Sequence, residues 1–467
     1  MQSPVTPFLA RSVPALAIVT LVCQLGCGGT PVLTTTPPVR VSGAISSDVS
    51  ASTVTEANVR RLLTALADDS MEGRGTGTRG SAKAARLIAN EMRTIGLEPA
   101  GDSGYFQRLP VAVVTGPRRT RPTLFSSFKA LDTVAAETRR TAMNVLGVLR
   151  GSDPVLRDSV ILVDAHYDHI GMGTPVRGDS IFNGADDDAS GTVAVIEIAR
   201  AMSSGPRPRR TVIFAATTGE EIGKLGARWY LMHPVAPIRS MTANLEIEMI
   251  GRPDSLAGGA GRAWLTGFER STMGAMFAAA GLPIGPDKRP EQSFFTQSDN
   301  IAFAQAGIPA HTLSSYNMHS DYHEVTDDAS HVDFAHMTSV IRVGASAVRL
   351  LADGPAPVWL PGGRPLASPP VTTPVTPPAS PSPSLPSPAE RLARYTTVHL
   401  QADTTAPSAK ERRMPPLLVD AARAMHDIYR VQAVGPRDSV LGMIKNPLSS
   451  RLAEVNVGPW DWLDNNA

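Results

Sequence analysis

The sequence predicts an α/β fold, a three-layer sandwich in which helices cover both faces of a mixed, mostly parallel sheet. Three observations carry this expectation. Apolar, β-branched runs of strand length occur at Val160-Ile161-Leu162-Val163 and Thr211-Val212-Ile213-Phe214, and Asn244 to Ile250 alternates as a strand. Helical spacing falls between them, as in Val193, Ile196 and Ala199. Each strand run opens into a loop carrying His, Asp or Glu, and loops at the carboxyl ends of strands are where open α/β sheets place their chemistry.

The chain is 467 residues long, enough for more than one domain, and its composition is ordinary for a globular protein. A formal net charge of +1 gives no case for nucleic acid or for an acidic partner. Residues 1–27 hold a single Arg11 followed by an apolar run from Val13 to Leu25, too short for a membrane span and suited to an export signal. A periplasmic or extracellular location follows. Both cysteines, Cys23 and Cys27, lie in this segment, so the rest of the chain has no thiol for a disulfide or a metal. Gln24-Leu25-Gly26-Cys27 resembles the site at which bacterial lipoproteins are cut and acylated, with Gln24 where Leu is usual. Two readings stand: lipid anchorage to a membrane through Cys27, or plain secretion after cleavage nearby. Residues 28–53, rich in Thr and Pro from Thr30 to Val41, read as a tether.

A catalytic domain is expected over residues 54–353. Helices are predicted from Glu56 to Asp68 and from Arg79 to Ile95, with apolar stripes Leu62, Leu63, Leu66 and Ala85, Ile88, Met92. A turn falls at Pro99 to Asp102, the stretch from Val111 to Arg140 has no clear period, and Asn144 to Leu149 reads as a strand. Gly178 to Phe182 is placed to rim a pocket. Further on come a helix over Gly226–Met232, where Trp229 is packing, a strand over Arg262–Gly267 and a helix over Glu269–Ala280. Ser298-Asp299 offers an N-cap for a helix through Phe303. Phe294, Phe295 and Met249 read either as an apolar pocket or as core. Helical spacing from Val332 to Leu351 closes the domain. Residues 354–390, dense in Pro, Ser and Thr, form an extended linker. Within 391–467, Tyr395 to Val398 reads as a strand and Leu417 to Tyr429 as an amphipathic helix, too little on its own to build a secure core.

The chemistry concentrates in five places. His166-Tyr167-Asp168-His169-Ile170-Gly171 follows the first strand run, and Asp168 stands two residues on, placed to orient the His166 ring as a carboxylate–histidine–metal unit does. Asn183-Gly184-Ala185-Asp186-Asp187-Asp188-Ala189-Ser190-Gly191 puts three acids in the loop entering a helix, where they repel one another unless a cation is near. Glu220 and Glu221 follow the second strand run, so that one carboxylate can bind metal while its neighbour deprotonates water. Glu248 sits at the mouth of the third strand, and His323 lies in Met318-His319-Ser320-Asp321-Tyr322-His323-Glu324. Two imidazoles, one shareable Asp and two further acids suit a pair of zinc ions with mixed N/O shells.

From about Val54 to Leu351 these residues resemble the zinc exopeptidases that include bacterial leucyl aminopeptidases, glutamate carboxypeptidase II and glutaminyl cyclases. Leu66 to Gly77, with Ser70-Met71-Glu72-Gly73-Arg74-Gly75, looks like that family's amino-terminal segment, and Gly184 to Gly191 and Tyr322-His323 followed by Asp327 match its motifs. The resemblance implies that family's zinc exopeptidase fold, of the phosphorylase/hydrolase-like type, and two Zn2+ ions, other divalent metals being the alternative. One ion would be held by His166, Asp187 and Glu248 and the other by Asp187, Glu221 and His323, with Asp187 bridging and Glu220 as general base. Tyr322 matches an oxyanion donor of some members, the alternative being a packed aromatic. Many members have Asp where this chain has Glu248, whose longer arm changes its reach. The function implied is an aminopeptidase acting on peptides. Its alternatives are a carboxypeptidase, a glutaminyl cyclase-like transferase or a non-enzymatic peptide-binding lipoprotein. The tail resembles the opening segment of dipeptidyl peptidase III-like peptidases but stops short of a catalytic region, and the chain has no H-E-x-x-H motif. It is read as non-catalytic.

Overall fold

Successive residues of a strand face opposite sides of its sheet, and in the central strands of this protein both sides are apolar. Ile161, Val163, Val212, Phe214, Leu245 and Ile247 bury into one core, while Val160, Leu162, Ile213 and Ala215 bury into a second on the other side. The computed structural model describes residues 53–115, 120–366, 387–395, 414–434 and 444–456. The expected export signal, the Cys27 lipid site and most of the tether and Pro-rich linker lie outside these residues, as does the expected strand beyond Tyr395.

The strands are β1 (Glu98–Pro99), β2 (Phe106–Thr115), β3 (Thr120–Leu124), β4 (Arg139–Leu149), β5 (Val160–His166), β6 (Gly171–Val176), β7 (Asp179–Phe182), β8 (Thr211–Thr217), β9 (Met241–Ile247), β10 (Ala263–Leu265), β11 (Ile284–Pro286) and β12 (Ala310–Ser314). Ten of them form one sheet in the order β11-β10-β12-β9-β5-β8-β4-β2-β3, with β1 paired to β4. The centre, β12-β9-β5-β8, is parallel. The flank β8-β4-β2-β3 is antiparallel, which gives the stretch after Val111 its structure as a β2–β3 hairpin. Helices Glu56–Leu66, Arg79–Ile95, Gly191–Ser204 and Phe334–Asp353 cover the first face, and Leu225–Met232 and Asn300–Gln305 the second. The sandwich is therefore of the expected class, with parallel pairing confined mainly to its middle.

Two local expectations change. Asp299 does precede the helix Asn300–Gln305, but its side chain makes no cap bond. The capping acceptor is Glu246 of β9, which takes the backbone N–H groups of Asp299 and Asn300 at 3.0 Å each. The boundary expected at residue 353 is also too early. Thr272 donates to the Val358 carbonyl (2.9 Å), the Trp359 indole donates to Gly307 (3.0 Å), and Leu360 donates to Arg270 (2.9 Å). The Trp359 ring lies against Phe295 and His311, so this part of the expected linker belongs to the domain. In the tail, the amphipathic pattern forms the helix Met414–Val434, and Tyr395 donates to Asn456 at 2.7 Å. Among the described residues no helix is long and apolar enough to cross a membrane.

Candidate metal centre

Because β5, β8, β9 and β12 run parallel, their carboxyl ends share one edge of the sheet. His166 is the last residue of β5, Glu220 and Glu221 follow β8, Glu248 follows β9, and Tyr322 and His323 lie on the loop after β12. The Asp triplet enters from the turn Ala185–Ser190, which leads into the helix Gly191–Ser204.

These side chains meet as two clusters that share one residue. Asp187 Oδ1 lies 3.4 Å from His166 Nε2, and Glu248 Oε1 lies 3.7 Å from the same nitrogen. Asp187 Oδ2 faces the other way and lies 3.1 Å from His323 Nε2, which is also 3.1 Å from Glu221 Oε2. His166 Nε2 is buried with no hydrogen-bond partner. Donors arranged around one ion at its usual bond lengths sit roughly 3–3.5 Å apart, so this spacing and the N/O donor set fit a divalent cation in each cluster. The electrostatics agree. Burial opposes a charged imidazole at His323, but hydrogen bonds to Asp187 and Glu221 override it and carry its pKa up to about 10. Positive charge is what the surrounding carboxylates favour.

The acids of the triplet have separate tasks. Only Asp187 turns toward the clusters. Asp186 Oδ1 accepts from Gly251 N (2.6 Å) and its Oδ2 pairs with His319 (2.9 Å), while Asp188 Oδ1 accepts from Gly191 N (2.9 Å) and Met249 N (3.1 Å). Backbone N–H groups thus absorb part of the repulsion expected among three adjacent carboxylates. Asp327 does the same from outside the triplet, taking the N–H groups of Asp186 and Asp187 at 3.0 Å.

Asp168 departs from the sequence expectation. Its backbone carbonyl, at 3.1 Å, is the partner of His166 Nδ1, and its carboxylate stands off at 3.9 Å. That carboxylate instead accepts from Thr76 Oγ1 (2.8 Å) and from the backbone N–H of Glu220 (3.2 Å), and burial pushes its pKa up to about 6. It ties the β5 loop to the β8 loop. Glu220 points beside the clusters, with Lys224 Nζ 2.8 Å from its Oε1. Burial pushes the Glu220 carboxyl well above the usual range, and His166 and Lys224 pull against that rise. Tyr322 stacks on the His323 ring with centroids 3.9 Å apart. Burial, then the Asp187 and Glu221 charges, hold its phenol protonated far above the ordinary range.

Three contributors were not assigned from the sequence. His169 lies within reach of Asp187 and Glu221. Lys224, itself left-handed with φ of 59°, pairs with Glu220 four residues back. Arg74 is fully buried, and its guanidinium donates to the carbonyls of Tyr167 (2.7 Å), Leu66 (2.8 Å), Asn183 (2.5 Å) and Gly184 (2.7 Å). It clamps the His166 and Asp187 loops together. Glu72, Gly73 and Arg74 reach that position through three successive left-handed residues, with φ of 54°, 60° and 52°. A Cβ at residue 73 would come within 2.4 Å of the Phe182 carbonyl oxygen, so only glycine fits. The signal available for Arg74 was its place in the Gly-flanked run Gly73-Arg74-Gly75.

Fold and site together define a class: an α/β protein with paired imidazole–carboxylate clusters at the carboxyl edge of its parallel strands. The model described as Peptidase family M28 matches residues 144–348, so this segment is similar to that family. A vacuolar membrane protease of Tuber melanosporum is 26% identical over 226 residues, 46% of this chain and 22% of that protein. Aminopeptidase YwaD of Bacillus subtilis is 28% identical over 117 residues, covering 25% of this chain and 23% of the relative. The chain thus spans about a fifth of the length of these relatives. Among solved structures, an aminopeptidase from Aneurinibacillus sp. strain AM-1 aligns with a TM-score of 0.47 at 16% identity, over 68% of this chain and 98% of that one.

Proposed function

We propose that the protein is a zinc-dependent aminopeptidase that removes amino-terminal residues from peptides. The observation that carries this reading is Asp187, which sends one carboxylate oxygen to each of two donor clusters. His166, Asp187 and Glu248 would hold one divalent ion, and Asp187, Glu221 and His323 the other. When bound, such a pair supplies Lewis-acid polarisation of a carbonyl and a lowered pKa for water. The chain's own residues do the rest. Glu220 takes a proton from the attacking water, whose oxygen bonds to the scissile carbonyl carbon. It then returns that proton to the leaving amine as the C–N bond breaks. Asp168 holds the Glu220 backbone in place, and the protonated Tyr322 phenol donates to the oxyanion.

A cavity of about 190 Å³ opens beside Glu248, where Met249, Trp264, Phe294, Tyr316 and Met318 share the wall with Thr266, Gln292, Gln297, Thr312 and Ser314. It supports a preference for an uncharged amino-terminal residue. A carboxypeptidase is less well supported, because it needs a cation for the substrate carboxylate. Arg252 already pairs with Asp321 at 2.7 Å, and Arg262 donates to the Ala257 carbonyl. The amino-terminal segment supports export, and mass spectrometry of the mature terminus would show whether Cys27 is acylated or removed.

Aminoacyl-nitroanilides, each free and N-acetylated, assayed with and without a chelator, test the proposal. Turnover of free substrates only, lost on chelation and restored by Zn2+, is the expected outcome. Hydrolysis that survives complete metal removal, or that prefers acetylated substrates, would overturn it.

A further inference from the structure

His169 is one of the most enclosed side chains near the clusters, 1% exposed, and the ligand set proposed above gives it no task. Its ring lies against Gly184, where φ is +56° and a Cβ would stand 2.5 Å from the imidazole Cγ and Cδ2. On another side it meets His323 edge-on, with centroids 5.7 Å apart. The ring therefore has little freedom to turn. Nδ1 lies 2.8 Å from Glu221 Oε1 and 3.7 Å from Asp187 Oδ2, and Nε2 is buried with no partner. With Nε2 unpartnered, the imidazole's one polar contact at hydrogen-bond length is Glu221 Oε1.

We infer that His169 is a positioning residue for the second cluster: Nδ1–H donates to Glu221 Oε1 and thereby turns Oε2 toward the place shared with Asp187 Oδ2 and His323 Nε2. By spacing alone His169, Asp187 and Glu221 could also hold a cation. What favours positioning is that the Nδ1–Oε1 separation is a hydrogen-bond length, and that it involves the carboxylate oxygen other than the one facing His323. An ionised carboxylate only accepts, so the proton of this bond resides on Nδ1. Without the bond, Glu221 would rotate among several positions, and a cation would have to order it on binding. Groups that hold a ligand in this way commonly account for 10–100-fold in metal affinity.

This inference rests on the two-cluster reading, and the test keeps the two apart. The metal-free full-length protein is titrated with Co2+ alone, following the visible spectrum, and with Zn2+ by calorimetry; thermal unfolding of each variant reports on folding. The wild type should take up two equivalents. His169→Phe fills the space without a donor, and should bind one equivalent as the wild type does and the other about 10–100-fold more weakly. His169→Asn, whose amide N–H can occupy the Nδ1 position, should retain both affinities and the cobalt spectrum. His169→Gln, whose amide nitrogen falls nearer the Nε2 position, should lose affinity as the Phe variant does and serves if that variant fails to fold. Wild-type affinity for both equivalents in the Phe and Gln variants would overturn the inference. So would an Asn variant as weak as the Phe variant with a changed cobalt spectrum, because the imidazole would then be a ligand. A wild type that binds fewer than two equivalents would instead sink the two-cluster reading itself.

Discussion

Replacing Arg74 by Met keeps most of the side chain's apolar stem and removes every donor of the guanidinium. Four enclosed carbonyls, those of Leu66, Tyr167, Asn183 and Gly184, lose a hydrogen bond of 2.5–2.8 Å. At about 1 kcal/mol or more for each acceptor left short, the loss comes to about 4 kcal/mol. Burial opposes the guanidinium's charge, and Asp327, Asp187, Asp188 and Asp168 support it, so its removal also leaves these acids less well compensated. Against a typical total of roughly 5–15 kcal/mol, this is a large share. Urea unfolding of wild type and Arg74→Met at the same pH and salt measures it. The variant should also bind Zn2+ more weakly, since the clamp joins the loops that carry His166 and Asp187. Arg74→Lys, with three donors at a single point, should fall between the two. A stability loss below about 1 kcal/mol with unchanged metal affinity would refute the reasoning, since even one unpaired buried acceptor should cost that much.

Glu220→Gln should retain metal binding by calorimetry and lose about two to four orders of magnitude in kcat, the range for a general base; near-wild-type turnover would remove Glu220 from that role. His311 should make stability acid-sensitive in a defined window. Burial lowers its pKa from 6.5 to about 4, so the unfolded chain takes up a proton near pH 6.5 while the folded chain resists until about 4. The contribution is complete above pH 6.5 and is lost as pH falls through 4, worth about 3 kcal/mol at about 1.4 kcal/mol per pKa unit. His311→Asn should therefore lose less stability than the wild type between pH 7 and pH 4, and equal losses would count against it. Ending the chain after Leu366 should leave the domain's thermal unfolding unchanged, whereas ending it after Pro355 should lower the midpoint by removing Trp359 and its contacts. Equal midpoints would show that this segment adds no stability.

Some of this architecture was legible in the order of residues because burial leaves a local trace. Strands enclosed on both faces carry runs of consecutive apolar residues, which marks β5 and β8, and a helix on a sheet shows its stripe at helical spacing, as in Arg79–Ile95 and Phe334–Asp353. Residue type likewise marked His166, the Asp triplet, Glu220, Glu221, Glu248 and His323, since few other side chains suit such chemistry, and the family resemblance pointed to Asp187 within the triplet.

What the chain alone left open depends on contacts between segments far apart in sequence. Asp186, Asp187 and Asp188 are indistinguishable as letters, and only the backbone N–H groups of Gly251, Met249 and Gly191 decide which carboxylate is left to face the clusters. Asp168 and His166 are two residues apart, yet the turn between them presents a carbonyl where a carboxylate was expected. Arg74 acts across 93 to 110 positions, and Glu246 caps a helix more than 50 residues away. Periodicity reports whether a side chain is enclosed, whereas hydrogen-bond geometry at that depth is set by whichever distant segment folds against it. Sequence thus determined the class of fold and the chemical types at its edge; tertiary structure decided which atom of each residue faces which partner.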